Sequence, residues 1–206
     1  MQLIPSNFIM NCIRTVQKEI NDKGIKLEIK YYASDEWGTV NKFPIIAVPV
    51  SYYYPLFKTL EDDRICLDTK AVIGILHHEV GHCILYAFEL FKRQDFSDMF
   101  GDFNFPYPDN GFINNFKPIL VGKEFVRHLS DCNWSYAAIH PDEDFAETFS
   151  VWLEHHNRKF WEQKYSGGKA FEKLLYMDRL MKEIRNTEPL VTGGRKHRPL
   201  HTVKFT

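Results

Sequence analysis

Residues 70–92 read KAVIGILHHEVGHCILYAFELFK, and their periodicity organises the reading of the rest of the chain. Val72, Ile75, Leu76, Val80, Cys83, Ile84, Ala87 and Phe88 fall on or near one stripe of a 3.6-residue period, which predicts a helix from about Lys70 to Lys92. Within it, His78 and His82 stand four residues apart. Side chains at that spacing share a face with Cβ atoms about 5 to 6 Å apart, so both imidazoles reach one tetrahedral metal ion. Glu79 is turned by one residue, which sets its carboxylate beside a metal-bound water, as a general base, rather than on the metal. Zn2+ suits this chemistry because it lowers the pKa of that water toward about 7. His77 lies off the shared face and reads as a structural or surface residue. A shuffled chain of this composition yields the motif class roughly 0.03 times, so a histidine-bearing core helix without metal stands as the competing reading.

A catalytic zinc requires a third protein ligand and an open position. Glu143 and Glu147, four apart in a later segment, project together. Pro141 followed by Asp142, Glu143 and Asp144 marks a helix start, with proline in the first turn and acids at the positive end of the dipole; this helix is expected to run through His156. The natural assignment makes Glu143 the ligand and Glu147 the carboxylate that orients a zinc-bound histidine through its other ring nitrogen. The spacing equally permits the reverse.

Outward from these two helices the chain reads as α+β. Ser6 can cap a first helix bearing Ile9, Cys12, Ile13, Val16 and Ile20, with Gly24 placed to end it. Ile25, Leu27, Ile29 and Tyr31 alternate as in a half-buried strand, and Gly38 and Asn41 mark a turn. Residues 43–54, FPIIAVPVSYYY, form a second β-rich run in which Pro49 predicts a sheet edge or bulge, an edge that in a peptidase can hold an extended substrate. Residues 94–122 carry loop punctuation but also seven aromatics, Phe96, Phe100, Phe103, Phe105, Tyr107, Phe112 and Phe116, which argue against a floppy linker and predict a loop packed onto the domain, with a substrate-contacting lid as the alternative. Gly167 and Gly168 precede a last packing helix with Phe171, Leu174, Leu175, Met177, Leu180, Met181 and Ile184. The expectation is one domain over 1–186, followed by an irregular tail over 187–206.

Composition bounds the function. The chain has 206 residues, 44% hydrophobic and 26% charged, with a net charge of -1, so neither nucleic acid nor an anionic membrane attracts it in bulk. No apolar run approaches the roughly 18 residues of a spanning helix, and the first residues lack a basic and apolar leader, which together predict a soluble, cytoplasmic protein; leaderless export leaves no signature. Cys12, Cys66, Cys83 and Cys132 are scattered without a CxxC pair and read as reduced, mostly buried thiols.

These residues resemble the putative zinc-binding metallopeptidase family, zincins with HExxH and a glutamate third ligand. The resemblance rests on SDEWG and IAVPVSYYYP upstream, HHEVGHCILYAFEL at the metal helix, FVRHL at 125–129, YAAIHPDEDFAETFSVWLE at 136–154 and YSGGKAFEKLLYMDRLM at 165–181. It is similar in pattern to the catalytic domain of anthrax lethal factor, where the later helix has the form E-x-x-A-E and a tyrosine stands shortly before it. The resemblance implies a zincin-like fold, with a small N-terminal β-sheet, the active-site helix and a helical C-terminal half. It selects Glu143 as ligand, places Ala146 and Glu147 in the same pattern, and implies Tyr136 as the oxyanion donor. His140 is a competing donor, and His128 fits the pattern without a role. Some relatives carry a cysteine zinc ribbon ahead of the peptidase region, which these 206 residues do not show.

The implied activity is peptide-bond hydrolysis by a zinc-activated water, with Glu79 as base and a peptide or protein as substrate, in a monomer. A non-catalytic zinc or partner-binding domain, or a zinc hydrolase acting on a non-peptide bond, are the rival readings. An intact Glu79 weighs against the first, because a structural zinc needs no base.

Overall fold

The first helix follows its sequence pattern. In a computed structural model describing residues 7–53, 68–107, 123–126 and 136–193, α1 (Asn7–Asp22) buries Ile9, Cys12, Ile13, Val16 and Ile20. It closes at Gly24, whose φ of +77° lies in the left-handed region where a Cβ is unfavourable. Ser6, Cys66, Phe112, Phe116, His128, Cys132 and residues 194–206 fall outside the described residues. Cys12 and Cys83 are free and buried.

After α1, Ile25, Leu27 and Ile29 keep their alternating burial. The hydrogen-bonded ladder starts only at Lys30, because β1 (Lys30–Ser34) pairs with β3 (Ile45–Pro49) from the register Lys30↔Ile45 onward. With β2 (Gly38–Thr39) the sheet has the order β1-β3-β2, parallel between β1 and β3 and antiparallel between β2 and β3. The edge position expected for residues 43–54 is therefore corrected: β3 is central, and Ile45 to Val48 are buried. Pro49 is tolerated there because it is the last residue of the strand, opposite Ser34, while β2 reaches only Ile46 and Ala47. The chain then leaves the sheet as a helical turn, α2 (Val50–Tyr53), a conversion the proline's fixed φ favours.

Helix α3 (Thr69–Ala87) begins at Asp68, whose side chain accepts from the Lys70 N–H at 3.2 Å. It stops short of Lys92. Glu89 turns the chain at a φ of +49°, and Leu90–Lys92 form one 3₁₀ turn. Thr187 to Gly193, the described part of the tail, carry no helix or strand, yet the N–H groups of Leu190 and Val191 both donate to Ala87 O, at 2.8 and 3.0 Å, and so occupy a carbonyl at the helix end. From Leu76 to Ala87 every residue of α3 is buried, because α1, the sheet and α5 (Pro141–Glu154) surround it.

Two short helices lie outside the segments whose period predicts a helix. In α4 (Gln94–Phe100) Phe96 and Phe100 are buried, and in α6 (Arg158–Tyr165) Trp161 and Tyr165 are, each an i,i+4 pair that packs one face. Helix α7 (Lys169–Glu183) buries Leu174, Met177, Leu180 and Met181 as its period predicts. One connected cluster of buried apolar side chains runs from Ile9 to Ile184. The architecture is α+β, with an N-terminal three-stranded mixed sheet and a helical C-terminal half. Among the described residues no helix is long and apolar enough to cross a membrane.

Candidate metal centre

The site lies where α3 meets the first turns of α5, and two small residues set that meeting. A Cβ built on Gly81 would stand 2.8 Å from Ala146 Cα, closer than real side chains approach, so the helices touch backbone to backbone at this point. The close approach lets short carboxylates on α5 reach the imidazoles on α3.

Three atoms converge there. His78 Nε2 and His82 Nε2 are 3.0 Å apart, and Glu143 Oε2 lies 3.0 Å from the first and 3.2 Å from the second. Each imidazole is oriented from behind. His78 Nδ1 is 2.9 Å from Glu147 Oε1, and His82 Nδ1 is 2.6 Å from Asp142 Oδ1. Ionised carboxylates only accept, so each Nδ1 carries a proton, and in the neutral ring that zinc binds each Nε2 then presents a lone pair. Glu143 Oε2 is buried and finds no hydrogen-bond donor. With both rings neutral, three electron-pair donors face one another within reach of one cation. Ligands about 2.0–2.1 Å from a tetrahedral zinc lie about 3.3 Å from one another, close to these separations. The donor set His, His, Glu therefore fits zinc.

The titration behaviour has the same cause. Burial works against a charged ring at His78, but a charged ring also has an Nε2 proton for Glu143, and its hydrogen bonds to Glu143 and Glu147 outweigh burial and raise its pKa to about 9. At His82, burial likewise opposes the charge, and Asp142 and Glu143 raise the pKa well above the usual value. Burial pushes Glu143 up, yet His82 and His78 hold its carboxyl well below the ordinary range. Without a metal, the pocket holds protons in its place.

The triad opens into a cavity of about 270 Å³ that Trp37, Thr39, Glu79, Tyr107 and Tyr136 also line. Glu79 stands outside the triangle of donors. Thr39 Oγ1, on the edge strand β2, donates to Glu79 Oε2 at 2.9 Å. Tyr136 begins a 3₁₀ turn, Tyr136–Ala138, and its ring centroid lies 5.6 Å from that of His78. Burial, then the charges of Glu143, Glu79 and Glu147, push its phenol up, so it stays protonated as a donor.

His140 lies outside the lining. Its Nδ1 accepts from the Asp142 N–H at 3.1 Å, capping α5, which leaves Nε2 to donate to Phe105 O at 2.7 Å. Both ring nitrogens are thus engaged away from the cavity. His77 points off the metal face, with Nε2 2.6 Å from Glu19 Oε2 on α1.

Four contributors escaped the sequence reading. Asp142 looked like an ordinary helix-start acid. Tyr86, one turn after His82, donates to Asp142 Oδ2, and that spacing was the one available signal. Thr39 and Tyr107 come from distant segments and left none. Tyr107 OH lies 3.2 Å from Asp142 Oδ2 and 3.1 Å from Glu143 Oε1.

Residues 61–180 match the family described as "Putative zinc-binding metallo-peptidase". No curated protein and no solved structure matches the chain significantly.

Proposed function

The chain belongs to the putative zinc-binding metallopeptidase family, and from that premise we propose that it hydrolyses peptide bonds at a single zinc held by His78, His82 and Glu143. The observation that carries this reading is the buried, donor-less Glu143 Oε2 facing two imidazole lone pairs, with the Glu79 carboxylate in the same cavity. When bound, zinc supplies Lewis acidity, which lowers the pKa of water at its open position toward about 7 and polarises a carbonyl.

The chain's own residues do the rest. Glu79 takes the proton of the attacking water and returns it to the leaving amine. Thr39 pins Oε2 of that carboxylate, so the other oxygen is the one free to carry the proton. Tyr136 donates to the charge that develops on the substrate's carbonyl oxygen. Glu147 and Asp142 keep the two imidazoles in the tautomer with Nε2 free. Trp37 and Gly38 form the adjoining wall of the cavity, where a peptide backbone would lie.

The test pairs wild type with Glu79→Gln in proteome-derived peptide cleavage, with zinc content measured on both. One zinc per chain in each protein and cleavage by wild type alone is the expected result. Equal cleavage by Glu79→Gln, or none by the zinc-loaded wild type, would overturn the reading.

A further inference from the structure

Glu143 has two oxygens with different surroundings, and the difference traces to Tyr107. Oε2 faces the two imidazoles. Oε1 is met by the Tyr107 hydroxyl at 3.1 Å. A phenol has one proton to give. The alternative acceptor, Asp142 Oδ2 at 3.2 Å, already receives the Tyr86 hydroxyl, so Glu143 Oε1 is the acceptor in greater need. Tyr107 is itself held. Its ring lies flat on His140 with centroids 4.0 Å apart and planes at 11°, and His140 is fixed through both nitrogens. Tyr107 is still 46% exposed at the mouth of the cavity, whereas Glu143 is only 6% exposed. Tyr107 thus reaches in from the mouth to give Glu143 Oε1 a fixed donor.

We infer that Tyr107 is a positioning residue that holds Glu143 Oε1 back from the metal, so that Glu143 binds through Oε2 alone and one position stays open. The inference rests on the zinc reading above and deepens it. A carboxylate oxygen that is buried without a donor turns to the nearest cation. Removing the phenol proton takes that fixed donor from Oε1, and its nearest cation is the one its sister oxygen already binds. The carboxylate then grips through both oxygens and competes for the open position.

The experiment loads wild type and Tyr107→Phe with Co(II), whose visible spectrum reports ligand number and geometry, and titrates each with azide as a probe of the open position. Tyr107→Phe keeps the ring and its stacking on His140. The expected result is metal affinity equal to or tighter than wild type, a changed Co(II) spectrum, and azide binding weakened by about 10-fold or more. With a peptide substrate, kcat falls and KM holds. Unchanged azide affinity in Tyr107→Phe overturns the inference while leaving the zinc reading intact. So does weakened metal binding, the mark of plain support. A wild type whose Co(II) spectrum ignores azide overturns it without recourse to the variant. Failure of wild type to take up one equivalent of metal overturns the zinc reading itself, and this inference with it.

Discussion

Gly81→Ala separates the stability of the fold from the geometry of the site. The added Cβ would sit 2.8 Å from Ala146 Cα, 3.2 Å from Ala146 O and 3.3 Å from Ala146 Cβ. Ordinary contact begins at 3.4 Å, so α3 and α5 must part by about 0.6 Å at this point. Overpacking of this kind costs about 1–3 kcal/mol, while alanine in place of glycine inside a helix returns about 1 kcal/mol, so the net loss of stability is about 0–2 kcal/mol. The metal site has no such compensation. His78 and His82 ride on α3 and Glu143 on α5, and the 3.0 and 3.2 Å separations between them widen with the helices. They become about 3.4–3.8 Å against the roughly 3.3 Å of a tetrahedral zinc, so metal–ligand distances stretch by up to about 0.3 Å, past the edge of what a zinc site tolerates. Zinc affinity should fall by about 10–100-fold. Chelator competition measures the affinity, and thermal unfolding of the metal-free protein measures the fold. Adding Ala146→Gly should not rescue binding, because the nearest atom is the Cα. Zinc affinity within twofold of wild type in Gly81→Ala would refute the reasoning.

Three further perturbations read other parts of the same structure. Thr39→Val removes the donor to Glu79 Oε2 and should lower kcat about 10-fold with zinc content unchanged, since one hydrogen bond to a charged group is worth about 1.5–3 kcal/mol; a kcat equal to wild type would show that Thr39 does not steer the base. Lys173→Met strips the buried Asp144 of the ammonium 2.6 Å away and should cost about 3–5 kcal/mol in urea unfolding, partly recovered by adding Asp144→Asn; a loss below about 1 kcal/mol would argue that Asp144 simply takes up a proton. Metal uptake should release protons: His78, held near 9 by Glu143 and Glu147 against burial, and His82, held well above its usual value by Asp142 and Glu143 against burial, are charged in the metal-free protein at pH 7, so zinc affinity rises with pH through and above neutrality. Calorimetry in buffers of different ionisation enthalpy reads this directly, and identical heats in all buffers would contradict it.

The parts of the fold legible in the sequence are those with a long local period. In α1 the buried residues are the ones that helical spacing selects, because a single amphipathic face is a property of neighbouring residues. The sheet is a different case. Pro49 sits in the central strand although proline argues for an edge, since centrality depends on which strands pair, and β2 contributes only two residues with no period of their own. The helices α4 and α6 are short, and each turns on one aromatic pair set in polar text. Helix α3 ends early for a reason found far along the chain, where Leu190 and Val191 take the Ala87 carbonyl.

The site divides along the same line, and its first α5 turn shows how far local reasoning extends. Asp142, Glu143 and Asp144 are consecutive and only 3%, 6% and 1% exposed. Successive helical residues point about 100° apart, so three buried acids in a row cannot share one counter-charge. Each needs its own. Asp144 has Lys173 at 2.6 Å, and Asp142 has His82 Nδ1 at 2.6 Å with the Tyr86 hydroxyl on its other oxygen. Neutral rings would give their Nδ1 protons to Glu147 and Asp142 and turn only lone pairs toward Glu143. The helix dipole explains why acids gather at this end, but it is too weak to explain three that are buried. A run of acids at a helix start thus has two meanings, told apart by burial, which only the packing of α5 against α3 reveals. Once buried, the turn draws positive charge to the two imidazoles, as protons in the metal-free protein and as the metal when it is bound, and both occupy the same place.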